Sequence, residues 1–239
     1  MKPLGRLFGI GVGPGDPELL TLKAVRTIKE AATIFVAASS KNSYSLAASV
    51  VKPHLSSGKE VQPLPFPMTY DRQRLEAAWE ENAKKVAEAL SVGDVAFLTM
   101  GDPCFYSTFS YLARAVKRLL PQVEMEVIPG ITAAQAAAAR LKLSLSEGEE
   151  TVLFASGARG GEAVRRFGGE VDTLVLYKVY REAANIYQAL KEKGLLEKTC
   201  GISFCSQPQE RIYSPLPSPE GLKFPYFTLF IIGGKRLNR

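Results

Sequence analysis

The sequence predicts an α/β protein of two units, each a mixed sheet covered by helices. Three observations carry that expectation. Short apolar runs alternate with helical patterns along nearly the whole chain. Three of the runs end in a glycine turn that opens directly onto a helical pattern. A polar break after a helix, Pro121-Gln122, separates two sets of these alternations. The expected units are therefore residues 1–120 and 121–239.

In chain order, Leu7 to Val12 reads as a strand. Asp16-Pro17-Glu18 reads as a helix start, with Pro tolerated and acid favoured in a first turn. Leu19, Leu22, Val25 and Ile28 then recur at helical spacing. A strand is expected over Ala32 to Ala38, a helix from Leu46 until Pro53, and a proline-rich extended segment over Glu60 to Pro67. Asp71 opens a long amphipathic helix whose stripe includes Leu75, Trp79, Val86 and Leu90. Val95 to Met100 is a strand and Ser107 to Leu120 a helix. Beyond the break, strands are expected at Met125 to Ile128, Thr151 to Ala155, Thr173 to Tyr177, Ile202 to Phe204 and Phe227 to Ile232. A short strand is expected around Ile212. The helices there are Ala133 to Leu141, Glu162 to Phe167 and Ala183 to Lys193.

With 239 residues the chain buries a sizeable core. No apolar run approaches the length of a membrane span, and the N-terminus lacks a signal-peptide layout, so a cytoplasmic protein is expected. Three cysteines, Cys104, Cys200 and Cys205, are odd in number and lack CxxC spacing. That argues against a disulfide framework or a protein-bound metal. A Ser-His-Asp apparatus would rest on His54 alone, which reads as a helix-end surface residue. The net charge of +6 points to an anionic partner. Nucleic acid is the default partner, but the Lys and Arg are scattered, and a polycarboxylate small molecule fits equally well.

The chemistry lies in the turns: GIGVGPGD at Gly9 to Asp16, LTMGDPCFYST at Leu98 to Thr108 and VIPGITAA at Val127 to Ala134. Glycine there lets backbone N–H groups approach a ligand closely. The first turn is not a dinucleotide fingerprint. GxGxxG requires glycine where Asp16 stands, and the second strand ends in Val36-Ala37-Ala38-Ser39-Ser40 without the ribose-binding acid. Asp102-Pro103 also suits a helix cap, and Cys104 reads as a packing residue with no neighbour to lower its pKa.

These three turns, in this order and over nearly the whole chain, resemble the tetrapyrrole methylases, which move a methyl group from S-adenosylmethionine to a porphyrin-like ring. The resemblance implies an active-site cleft between the two units. It implies cofactor contacts at Pro14, Gly101, Asp102, Phe105, Thr132, Ala133 and Lys178, with Thr228 and its neighbours Phe227 and Leu229 closing the adenine pocket through backbone groups. Gly13 falls on the ring side. The block PLPFPMTYD, Pro63 to Asp71, followed by a long helix and GDPCFYST, looks like the members that methylate C-20 of precorrin-2 or cobalt-factor II. There Phe66 and Met68 would offer apolar contact to the macrocycle and Tyr70 a hydroxyl, with Met68 and Tyr70 positioning it. The resemblance implies a homodimer, with S-adenosylhomocysteine as product and a small-molecule ring in place of nucleic acid; the scarcity of soft ligands and of long apolar runs implies no metal on the protein and no membrane partner. The alternatives are methylation at another ring carbon or of ribosomal RNA, and a non-catalytic binding module.

Overall fold

The computed structural model describes residues 3–39, 45–67, 69, 71–220 and 223–237. The chain divides into two compact units, Met1–Thr132 and Ala133–Arg239.

The first unit holds β1 (Leu7–Gly11), α1 (Leu22–Glu30), β2 (Thr33–Ser39), α2 (Leu46–Val51), β3 (Val61–Phe66), α3 (Arg72–Leu90), β4 (Val95–Thr99), α4 (Phe109–Leu119) and β5 (Met125–Ile128). Its sheet runs β3-β2-β4-β1-β5, and every pair is parallel. Connections that step one way across a parallel sheet place their helices on one face, and those that step back use the other. Accordingly α1 and α2 bury Ala24, Ile28, Ala47 and Val50 with Ile10, Val36 and Leu98. On the opposite face α3 and α4 bury Val86, Leu90, Leu112 and Val116 with Leu7, Leu64 and Phe97. β4 feeds both faces alternately, which is why it reads as an unbroken apolar run.

Local chemistry sets the helix ends. Asp71 caps α3 by accepting from Gln73 N (3.0 Å) and Arg74 N (3.2 Å). The helix expected from Asp16 is split in two. Pro17–Leu19 is a single 3-10 turn capped by Asp16, and α1 begins only after Thr21, whose hydroxyl accepts from Ala24 N at 3.1 Å. Lys59 reaches back to the last carbonyls of α1, including Ala31 O at 2.7 Å, where a cation suits the helix dipole. The proline-rich segment is the edge strand β3, where Pro63 and Pro65 are exposed and cost the ladder nothing.

The second unit holds α5 (Ala133–Leu141), β6 (Leu143–Ser144), β7 (Val152–Ser156), α6 (Glu162–Phe167), β8 (Thr173–Tyr177), α7 (Ala183–Glu192), β9 (Thr199–Ser203), β10 (Arg211–Tyr213), β11 (Thr228–Gly233) and β12 (Lys235–Arg236). Its main sheet runs β10-β9-β11-β8-β7, with β7 and β8 parallel and the other pairs antiparallel. Val164, Ile186 and Leu190 from α6 and α7 pack on Leu174, Leu176 and Phe230.

Two expectations need correction. The mixed character foreseen for both sheets belongs to the second alone. The boundary foreseen at Pro121-Gln122 falls inside the first unit, because β5 pairs with β1, Ile128 opposite Ile10. The two-residue ribbon of β6 and β12 was not foreseen at all.

Candidate functional site

β1 lies between β4 and β5, and all three strands are parallel, so their carboxyl ends share one edge of the sheet. That edge is where open α/β sheets carry their ligands. The three glycine turns start there and close on one another. Gly13 and Gly101 form a two-way bridge, Gly13 N to Gly101 O at 3.3 Å and Gly101 N to Gly13 O at 2.7 Å. Both have positive φ, 77° and 65°, which glycine tolerates without strain. Gly11 and Gly130 are needed for a different reason. A Cβ on Gly11 would stand 2.5 Å from Gly101 O and 2.6 Å from Gly130 N, and one on Gly130 would stand 2.2 Å from Gly101 O. The backbones pass too closely for any side chain.

Asp102 ties the turns together. Its Oδ1 accepts from Cys104 N at 2.8 Å and its Oδ2 from Gly130 N at 3.0 Å. It does not cap α4, which begins seven residues on at Phe109 and has no side-chain cap bond. Phe105 N closes the same turn by donating to Asp102 O at 3.2 Å. Thr132 Cα lies 3.9 Å from where a Gly101 Cβ would stand. Thus Gly13, Gly101, Asp102, Phe105 and Thr132 belong to one assembly in the first unit, and Pro14 follows Gly13 directly. Tyr106, in the same turn, holds φ at 50°, a left-handed conformation that costs a side-chain-bearing residue energy. Partial burial pushes its phenol above the ordinary value.

In the second unit, Tyr177 Oη accepts from Ala134 N at 3.1 Å, so the end of β8 holds the start of α5, where Ala133 lies. Lys178 follows with φ at 58°. Thr228 opens β11 at the same end of the sheet, because β11 runs antiparallel to β8 with Phe230 opposite Leu176. Its side chain is buried and engaged: Oγ1 lies 2.7 Å from Ser203 Oγ and donates to Pro225 O at 2.7 Å.

Other expected positions fall elsewhere. Phe66 is a core residue, 7% exposed, packed edge-on against Phe97 at 6.1 Å between ring centroids. Alternation along β3 turns Leu64 and Phe66 inward, so Phe66 leaves the ring-facing set. Met68 and Tyr70 lie outside the described residues. Cys104 is exposed, not packed. Gly11 and Gly130 were not among the candidates. The glycines sat inside the quoted motifs, but only the close approach shows why they are needed. Among the described residues no group of three or more His, Cys, Asp or Glu is placed to hold a metal ion, and no helix is long and apolar enough to cross a membrane.

Comparison with known proteins places this arrangement. Residues 6–218 match the family of Tetrapyrrole (Corrin/Porphyrin) Methylases. The chain belongs to that family. Among curated relatives of this methylase, a probable cobalt-precorrin-2 C(20)-methyltransferase of Methanocaldococcus jannaschii is 38% identical over 177 residues, covering 74% of each chain. The cobalt-precorrin-2 C(20)-methyltransferase of Salmonella typhimurium is 31% identical, covering 95% of this chain and 96% of its own. Among solved structures, a cobalt precorrin-4 methyltransferase superposes with a TM-score of 0.72 at 20% identity, over 95% of this chain and 94% of that one. A uroporphyrin-III C-methyltransferase of Thermus thermophilus, complexed with S-adenyl homocysteine, has a TM-score of 0.67 at 25% identity, over 96% of this chain and 97% of that one.

Proposed function

We propose that this methylase transfers the methyl group of S-adenosylmethionine to C-20 of precorrin-2 or cobalt-factor II, a ring methylation of cobalamin synthesis. The observation that carries the reading is the convergence of the three glycine turns at the carboxyl ends of β1, β4 and β5, in a chain whose full-length relatives carry that activity in their names.

The residues present fit the cofactor. The Gly11, Gly101 and Gly130 backbones pack on one another too closely for a Cβ on Gly11 or Gly130, which gathers the three turns at the strand edge where open α/β sheets bind ligands. Gly13, Pro14, Gly101, Asp102, Phe105 and Thr132 are the residues proposed to hold the cofactor, and Ala133, Lys178 and the backbone at Thr228 are proposed as further contacts. When bound, the cofactor supplies an electrophilic methyl group on a sulfonium, and an electron-rich ring carbon supplies the nucleophile. The chain's task is then alignment, which supplies about 7–11 kcal/mol of barrier reduction when reacting groups are held in line. As the C–CH3 bond forms, the S–CH3 bond breaks and the sulfide leaves, and the ring then sheds a proton to solvent, so the transfer itself asks little of acid–base side chains. His54, the one histidine, has its Nε2 3.1 Å from Pro17 O and serves the local fold.

Met68 and Tyr70 are proposed as the ring-positioning side chains and Gly13 as a ring-side backbone contact. A homodimer and a cytoplasmic location belong to the same proposal, supported by the family and by three cysteines left as free thiols.

The experiment offers metal-free and cobalt-loaded ring side by side with cofactor labelled in its methyl carbon, and locates the label by NMR. Label at C-20 alone is expected. Label at another carbon rejects the regiochemistry, and transfer to a ribosomal RNA helix with none to the ring rejects the substrate class.

A further inference from the structure

Asp102 entered the reading as a residue that lines the cofactor pocket. Its hydrogen bonds assign it a different task. β4 and β5 are not neighbours. β1 lies between them, so their carboxyl ends stand two strand spacings apart, roughly 10 Å. The turns after β4 and β5 meet only by folding over the end of β1. Gly11 is the residue they fold over, and it has no side chain to obstruct them. Across that gap Asp102 reaches Gly130 N with Oδ2 while Oδ1 holds Cys104 N in its own turn. Each carboxylate oxygen therefore already has a backbone amide donor. Gly130, which donates to Asp102, stands two positions before Thr132.

We infer that Asp102 is a positioning residue, whose carboxylate locks the turn after β4 to the turn after β5 across Gly11 and acts on the cofactor through the backbone it holds. The lock accounts for a carboxylate at this position. A carboxylate presents two acceptors and no donor, so it serves two amides at once. Asparagine is nearly the same size, but whichever way its amide turns, one of the two N–H groups faces an NH2. The lock also makes the site largely preformed, so binding orders little backbone. The inference about the cofactor rests on the proposed function. The lock itself does not.

The test uses the full chain and the Asp102→Asn variant. Amide hydrogen exchange at Gly130 is read by NMR without any ligand. Binding of S-adenosylhomocysteine is read by calorimetry, and KM for ring and for cofactor by turnover. In the variant Gly130 is expected to exchange at least tenfold faster. Cofactor affinity and KM are expected to weaken by about tenfold or more, the scale of one lost hydrogen bond to a charged group. KM for the ring should stay within twofold. Lost affinity with unchanged Gly130 protection overturns the inference, because Asp102 would then touch the cofactor directly. Lost protection with unchanged affinity also overturns it, leaving only a local turn. A second measurement needs no variant. In a pH titration of the wild-type chain, the Gly130 and Cys104 amide signals must move with one common midpoint, and separate midpoints refute the lock. If no methyl reaches the ring, the proposed function fails while the ligand-free amide measurements still decide this inference.

Discussion

The turns that meet beyond β1 and β4 in the first unit and those that follow β8 and β9 in the second bend their chain by different means. In the first unit the left-handed positions that meet across the sheet edge are glycines, Gly13 at φ 77° and Gly101 at φ 65°. In the second unit the strand ends carry side chains in the same conformation: Lys178 at 58°, Phe204 at 51° and Ser206 at 61°. The difference follows from what each end must present. Where backbones close on one another, as at Gly11 and Gly130, any Cβ is excluded by neighbouring main chain. Where a strand ends in more open space, a side chain is retained and its strain, of order 1–3 kcal/mol for such positions, is tolerated for what the side chain does. At these positions the first unit therefore carries bare backbone and the second carries side chains.

The sharpest way to break this contrast is to add one methyl group on each side. In Gly130→Ala the new Cβ meets Gly101 O at 2.2 Å, a backbone atom that cannot step aside. We expect destabilisation of about 1–3 kcal/mol or more from overpacking, with loss of measurable S-adenosylhomocysteine binding by calorimetry. In Gly194→Ala nothing lies within 4 Å, but φ is 65°. The cost there is conformational only, about 1–2 kcal/mol, and cofactor affinity should be untouched. Equal affinities in the two variants would dissolve the distinction.

The second test reverses the substitution. Lys178→Gly relieves a left-handed side chain, worth about 1–2 kcal/mol, against about 0.5–1 kcal/mol of added chain entropy. Thermal unfolding should therefore show stability unchanged or raised by up to about 1.5 kcal/mol, while methyl transfer falls several-fold. A variant that is less stable and fully active would mean that Lys178 serves the fold.

These two tests separate what the sequence discloses from what it conceals. Apolar periodicity and glycine punctuation are local signals, and β1, β5, β8, α5 and α6 stand within a residue of where those signals place them. The edge strand β3 was legible as an extended piece, but Phe66 was misplaced, because alternation along Leu64 and Phe66 decides its direction once the sheet is known. The unit boundary was missed for a non-local reason. The polar break at Pro121 looks like a linker until β5 finds β1, more than a hundred residues earlier in the chain. The Asp102–Gly130 bond, 28 residues apart, is hidden in the same way. The two-residue ribbon of β6 and β12 is too short to show any period.

A smaller difference concerns charge. In the second unit Glu210 is largely buried and would titrate high. The Arg140 guanidinium at 2.6 Å and the Ser206 N–H at 2.8 Å outweigh that burial and hold it below the ordinary carboxylate value of 4.5. A carboxylate depressed in the folded state contributes stability above its unfolded pKa and loses it as pH falls through the folded one. The stability gap between wild type and Glu210→Gln should therefore be full at neutral pH and shrink as pH drops below about 4.5. In the first unit the Lys23–Glu126 pair is exposed, with side chains 52% and 34% accessible. Surface pairs of this kind are screened and contribute little, so Glu126→Gln should leave the melting temperature unchanged at any pH. A pH-dependent loss in both variants would remove the contrast.

The smallest expected effect concerns reactivity and leaves stability alone. Cys104 lies exposed in the turn after β4, and Cys205 is buried after β9. Burial pushes the Cys205 thiol up to about 11, outweighing the pull of its Ser206 contact and of Arg140. Only the thiolate attacks an alkylating reagent, so near pH 8 Cys205 is both shielded and protonated. Iodoacetamide should label Cys104 first by mass spectrometry, with Cys205 labelled only on unfolding. S-adenosylhomocysteine should slow the reaction at Cys104, because the Cys104 amide is held by Asp102 in the turn proposed to bind it. The rate at Cys205, already limited by opening of the second unit, should change far less. Equal protection of both thiols would show that the ligand tightens the whole chain, and the backbone-built end of the first unit would lose its claim to be a separate site.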